Sequence, residues 1–282
     1  MSLHAFKTHA PDVSIMETGI GGEYDCTNIV EKPYATAITS LGLDHQGLLG
    51  NTVAEIGWHK AGVMKSGVAC FTAPQPTVAM AVLEERKVEK CASALIEVGG
   101  VEEVGVLKRK VELGLKGSHQ YINAAVAIAT CKEWVSVYNK NHTETKCQLS
   151  EVAILKGLEA AYWPGRAQTF TTPEFPNAVY YLDGAHTPES LLVCGEWFDQ
   201  VLGRDGNTKE RNVLIFYCTG GRSADELLSP LAHEIKRPFS DIIFCSSDSK
   251  QGANVNNTNF TVFKDTAMKT QTDYKSALER VA

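Results

Sequence analysis

The sequence predicts an α/β protein of two domains, and three observations carry the prediction. Short apolar runs alternate with stretches of helical period, the rhythm of parallel sheets with right-handed crossovers. A Pro-Gly punctuation, Tyr162-Trp163-Pro164-Gly165-Arg166, divides the chain near its middle. The 282 residues, 44% hydrophobic and 21% charged, suffice for two modest cores. Residues 1–163 are expected to form one domain and 164–282 the other.

In the first half, Val13 to Met16, Ala37 to Leu41 and Val68 to Phe71 read as buried strands. Pro76 to Leu95 and Ser118 to Val137 read as helices, the latter with Ile122, Val126 and Ala129 inward. In the second half, Asn177 to Leu182 is an apolar, aromatic strand. Pro188 to Leu202 follows as a helix, with Pro188 suited to a first turn. Asn212 to Cys218 is the next strand and Ser223 to Lys236 the next helix, with Ser223 as its N-cap. Asp241 to Cys245 closes this series, which is expected to form one parallel sheet. The polar tract Gln251 to Asn259 reads as a loop.

Several function classes are disfavoured. The formal net charge is -6, and no Lys or Arg run supplies a nucleic-acid footprint. No stretch approaches the roughly 18 apolar residues that span a bilayer. Met1 to Ala10 has no apolar core of a secretory signal. None of the eight cysteines stands in a Cys-x-x-Cys pair, so no zinc knuckle is expected. Reduced, buried thiols in a cytosol or organelle matrix are the simplest reading.

Ligands of open α/β sheets gather beyond the carboxyl ends of strands, so the residues at those tips matter most. They are Glu17-Thr18-Gly19-Ile20-Gly21-Gly22, Gly42-Leu43-Asp44-His45, Asp183-Gly184-Ala185-His186 and Thr219-Gly220-Gly221-Arg222. An acid, two Asp–His sets and an Arg together point to a site that handles charge. A carboxylate and a histidine, with phosphate oxygens completing the shell, make a reasonable magnesium arrangement. Gly21-Gly22 either lets backbone approach a ligand closely or makes a tight strand-to-helix turn.

Five segments make the reading more specific. ETGIGGEYDCTN (Glu17 to Asn28), LGLDHQGLLGNTVAEIGWHKAG (Leu41 to Gly62), GSHQYINAAVA (Gly117 to Ala127), WPGRAQ (Trp163 to Gln168) and YLDGAHTPES (Tyr181 to Ser190) occur in that order. Together they resemble the folylpolyglutamate synthases of the Mur ligase superfamily. FTAPQPTVAMAVLEER (Phe71 to Arg86) is most similar to the eukaryotic, fungal branch. The resemblance implies a P-loop-type Mur ligase central domain, incomplete here, followed by a Rossmann-like α/β C-terminal domain.

It also implies roles. Glu17 and His45 would bind Mg²⁺. Lys60 matches a lysine that is carbamylated in relatives and helps the metal. Asn123 would lie near adenine, Arg166 on phosphate, Asp183 at the ribose end of ATP, and His186 at the catalytic cleft. The implied partners are folate, L-glutamate and ATP, with a monomer in the cytoplasm or mitochondrial matrix. The implied reaction extends folate by glutamate through an acyl phosphate. Dihydrofolate synthase, another Mur-type amide ligase and a non-catalytic remnant are the alternatives.

The chain departs from the family pattern in places. No G-x-x-x-x-G-K-[ST] occurs in it. It is therefore expected to lack the backbone phosphate cradle and to need a separate P-loop segment. Tyr217 and Ser223 stand where the family has Asn and Asp.

Overall fold

Four successive buried residues, Ala69–Thr72, leave a strand no polar face, so it needs cover on both sides. The computed structural model supplies that cover. It describes residues 2–99, 111–205, 211–217, 224, 227–229, 231, 235, 239–245 and 260–264. They divide into two units, Met1–Lys110 with Ile122–Leu155, and Val111–Tyr121 with Lys156–Ala282.

In the first unit, β1 (Thr36–Ile38), β2 (Ala69–Thr72) and β3 (Ala94–Glu97) form a parallel sheet with β2 central. The helices are α1 (Ser2–His9), α2 (Gln46–Leu49), α3 (Val53–Lys60), α4 (Thr77–Glu89) and α5 (His119–Asn141), the last belonging here from Ile122 on. Alternation along β2 builds two cores. Ala69 and Phe71 pack with Ala125 and Val126 of α5. Cys70 turns to the other face, among Ala61, Met64, Ala79 and Leu83. α3 starts at a capping box, with Thr52 Oγ1 accepting from Glu55 N–H and the Glu55 carboxylate accepting from Thr52 N–H.

Two expectations for this unit are corrected. Val13 to Met16 forms no strand, and both Val13 and Ile15 are exposed. Among the described residues no ladder pairs with it, and a strand without one cannot close its hydrogen bonds. The helix expected over Pro76 to Leu95 ends at Glu89. Cys91 enters the left-handed region at φ 52, which breaks the helical path. Ala94 and Leu95 then join β3 beside β2.

In the second unit, α6 (Glu151–Ala160) leads to β4 (Gln168–Thr172), β5 (Phe175–Leu182), α7 (Pro188–Asp205), β6 (Val213–Phe216), β7 (Asp241–Cys245) and β8 (Phe260–Lys264). Only α6 residues from Lys156 on belong to it. Here the expected single parallel sheet is corrected. β5 pairs antiparallel with β4, because Pro173-Glu174 turns the chain straight back. β6 and β7 are parallel as expected, and β8 pairs antiparallel with β7. Leu191 of α7 packs with Phe216, Leu227, Leu228, Leu231 and Ile242. At Gly195 a side chain would stand 3.0 Å from Leu231, so the helix approaches that leucine closely.

Of the helix expected over Ser223 to Lys236, residues 224, 227–229 and 231 are described and helical. Thr219 to Ser223 and Gln251 to Asn259 lie outside the described residues. No helix among the described residues is long and apolar enough to cross a membrane.

Candidate functional site

Of the sequence-expected residues, Glu17, His45, Lys60 and Asn123 lie in the first unit and Arg166, Asp183 and His186 in the second. In the first, the segment after Glu17 is folded by a single carboxylate. Asp25 accepts from Gly19 N–H (3.1 Å), Ile20 N–H (3.0 Å), Thr27 N–H (2.9 Å) and Thr27 Oγ1 (2.7 Å). These donors, led by Ile20 N–H and the Thr27 hydroxyl, hold its pKa down at about 2. Gly21 adopts φ 68, and a side chain at Gly22 would meet the His59 carbonyl at 2.8 Å. Glycine is required at both positions, one for the turn and one for the close approach.

Glu23 fastens the far side of the loop. Its N–H donates to the His59 carbonyl at 2.8 Å, and its carboxylate pairs with Lys90 at 2.8 Å and with Arg86. Arg86 is buried, also bonds Glu89, and lies 4.2 Å from the Trp58 ring centre. The loop is thereby bound to the end of α3, where half-buried Lys60 stands. A cavity of about 290 Å³ opens between them, lined by Ile20, Gly22, Tyr24, Asp25, Leu48 and His59 among others.

His45 opens α2 in the left-handed region at φ 52, an uncommon conformation for a side-chain-bearing residue. Its N–H bonds Asp44 Oδ1 at 2.8 Å, and Nε2 lies 3.6 Å from Asp44 Oδ2. Glu17 and His45 are both exposed. Among the described residues no three His, Cys, Asp or Glu side chains converge on one metal position. A carboxylate such as Glu17 is the oxygen donor that Mg²⁺ favours, with waters and substrate phosphate oxygens completing its shell.

In the second unit, Arg166 and Asp183 are brought together. Gly165 and Ala167 both adopt positive φ, 75° and 44°, so the chain turns sharply at Arg166. Asp183 accepts from Ala167 N–H at 2.7 Å and Ala185 N–H at 2.8 Å, and Gly184 N–H donates to the Gly165 carbonyl at 2.8 Å. A side chain at Gly184 would collide with the Arg166 guanidinium, which therefore lies over this glycine. His186 is exposed, its Nδ1 2.9 Å from the Gly184 carbonyl. With a carbonyl as its partner, Nδ1 is the donor in that contact. Asn123, in the first unit, is half-buried near the start of α5.

Sequence reasoning missed His119 in the second unit. Burial pushes its pKa down, Asp183 and Glu196 oppose that shift, and Arg166 adds to it. Ser118 Oγ lies 3.4 Å from Glu196. The available signal was His119 at the start of a helix, two residues after Gly117, which adopts φ 108. Asp25 and Glu23 were missed as well, although both stand inside the glycine-rich segment.

No family model matches the sequence. The mitochondrial folylpolyglutamate synthase of Bos taurus is 37% identical over 287 residues, covering 94% of this chain and 48% of that protein. The probable folylpolyglutamate synthase of Schizosaccharomyces pombe is 42% identical over 197 residues, or 70% of this chain and 37% of that one. Over most of its length the chain is similar to folylpolyglutamate synthases. It spans about half the length of the bovine protein or less of the other. A solved folylpolyglutamate synthase in complex with AMPPCP and folate superimposes with a TM-score of 0.60. That pair is 26% identical, over 75% of this chain and 51% of the other. The α/β Mur ligase fold expected from the sequence is thus the fold of these folylpolyglutamate synthases.

Proposed function

We propose that this chain carries part of an ATP-dependent ligase that adds L-glutamate to the terminal glutamate carboxylate of reduced folates. The observation that carries this reading is similarity to folylpolyglutamate synthases along 94% of the chain. Residues 1–163 form the ATPase and ligase half, and 164–282 the glutamate-ligase half. The protein works as a monomer in the cytoplasm or the mitochondrial matrix, completed by a segment bearing a phosphate-binding loop.

The chemistry assigns a task to each residue. The folate carboxylate oxygen attacks the γ-phosphorus of ATP, ADP leaves, and an acyl phosphate forms. The glutamate amine then attacks the acyl carbon, phosphate leaves, and the amine sheds a proton. Both steps bring anions together, so countercharge sets the barrier. Arg166 holds phosphate, Asp183 orients the ribose end of the nucleotide, and Asn123 borders adenine. Glu17 and His45 would hold Mg²⁺, and Lys60, once carbamylated, would help to orient it. Bound there, the ion neutralises charge on the transferring phosphoryl group. His186 would serve as the proton acceptor for the attacking amine.

The test joins this chain to the remaining segment of the Schizosaccharomyces pombe relative and follows glutamate incorporation into tetrahydrofolate. Activity is expected in the joined protein and absent from the 282-residue chain by itself. Glu17→Ala and His45→Ala should each lower turnover at least ~10²-fold. An inactive joined protein that folds and binds ATP would remove the ligase assignment.

A further inference from the structure

β1 is only three residues long, yet the chain beyond it stays tied to the β2 side for three residues more. The last main-chain link between the two is Ala73 N–H to the Ile38 carbonyl at 3.0 Å. A side chain continues the ladder. Gln75 Nε2 donates to the Thr39 carbonyl at 2.9 Å, and Gln75 Oε1 accepts from Leu41 N–H at 2.9 Å. Nε2 also reaches Thr72 Oγ1 at 2.9 Å, on a threonine that is fully buried. One acceptor bond and two donor bonds fix which way the amide points. The Gln75 amide therefore stands in for a peptide group past the end of the strand.

Beyond Leu41 the chain runs through Gly42-Leu43-Asp44-His45. Gly42 would have no neighbour within 4 Å of an added side chain, and Leu43 is exposed, so neither packs this stretch down. His45 ends it with a left-handed backbone, a conformation that persists only when its surroundings impose it. Asp44 holds the histidine from one side. Gln75, through Thr39 and Leu41, holds the strand end from which the stretch departs.

We propose that Gln75 is a positioning residue for His45, and through it sets the affinity of this site for a divalent cation. The inference rests on the reading of His45 as a metal ligand. Support of a ligand by its hydrogen-bonded surroundings typically changes metal affinity 10–100-fold.

Mn²⁺ titrated into the 282-residue chain, with free ion counted by electron paramagnetic resonance, tests both ideas separately. Leu83→Ala, at a fully buried position on α4 in the core that Ile38 and Leu41 share, serves as a control that lowers stability while leaving the Gln75 amide in place. The expected result is about tenfold weaker Mn²⁺ binding in Gln75→Ala and in His45→Ala, with Leu83→Ala unchanged in affinity. Gln75→Glu keeps the shape but loses the donor to Thr39, and replaces the alanine variant if that one does not fold. If His45→Ala weakens binding and the Gln75 variants do not, the positioning role is overturned alone. If His45→Ala and wild type bind alike, or neither binds, the metal reading falls and takes this inference with it. Equal weakening in Leu83→Ala would make the Gln75 effect one of general stability and also overturn it.

Discussion

A single carboxylate does most to shape the glycine-rich segment. Four donors converge on Asp25, and its pKa lies at about 2 against an ordinary 3.8. The folded-state value is depressed, so its stabilisation is complete above 3.8 and disappears as pH falls through about 2. Because the group is half exposed, solvent screens much of that effect. Asp25→Asn is expected to cost about 1 kcal/mol at pH 7 by urea unfolding. Its curve should merge with that of the wild type near pH 2; a constant difference down to that pH would refute the assignment. His119 has the opposite chemistry: partial desolvation of an imidazole that keeps exposed surface disfavours its protonated form. Its contribution is complete above the ordinary 6.5 and is lost as pH falls below that value. His119→Gln should therefore flatten the stability profile on the acid side of 6.5. An unchanged slope there would show that the imidazole is not the group responsible.

At the scale of elements, α4 and the loop after Glu17 are joined by charge rather than by apolar packing. Arg86 is 2% exposed and pairs with Glu23, whose side chain is 17% exposed, whereas Glu89 is 60% exposed. Removing a partner from a buried pair typically costs about 3–5 kcal/mol, while an exposed partner is worth less than about 1. Arg86→Met should thus destabilise the first unit by about 3 kcal/mol. Glu89→Gln should cost under about 0.5 kcal/mol. Comparable losses in the two variants would contradict the burial argument. No periodicity announces this pair, because Glu23 and Arg86 lie far apart in sequence and a lone Arg on a helix reads as solvated. What the sequence did disclose were elements with a local cause. β7 was expected over its full range, Asp241–Cys245, and α7 from Pro188 onward, where Thr187 and Ser190 exchange hydrogen bonds across the first turn. The hairpin of β4 with β5 was missed because pairing direction depends on the turn at Pro173-Glu174, which apolar alternation does not encode. The glycine-rich motifs marked where a candidate site lies along the chain. They could not reveal the Gln75 amide or His119, whose partners exist only once the chain is folded.

Over the whole molecule, order along the chain and membership of a folding unit diverge. Val111–Tyr121 belongs with the second unit, although α5 beyond it belongs with the first. The reason is local bonding. Gly114 N–H donates to the Leu158 carbonyl at 2.9 Å, and a side chain at Gly114 would strike the Ala161 carbonyl. Val111 and Leu113 are buried, and Ser118 reaches Glu196 on α7. A chain cut before Pro164 would therefore separate residues 164–282 from 111–121 and 156–163, which complete the same unit. Unpaired polar groups and uncovered apolar surface would be left on the C-terminal piece. That piece alone is expected to melt without a sharp transition in near-ultraviolet circular dichroism. Mixing it with residues 1–163 should restore a cooperative transition that depends on concentration, as binding linkage requires. A cooperative melt of 164–282 alone, at the temperature of the intact chain, would show that Val111–Tyr121 contributes nothing to its fold.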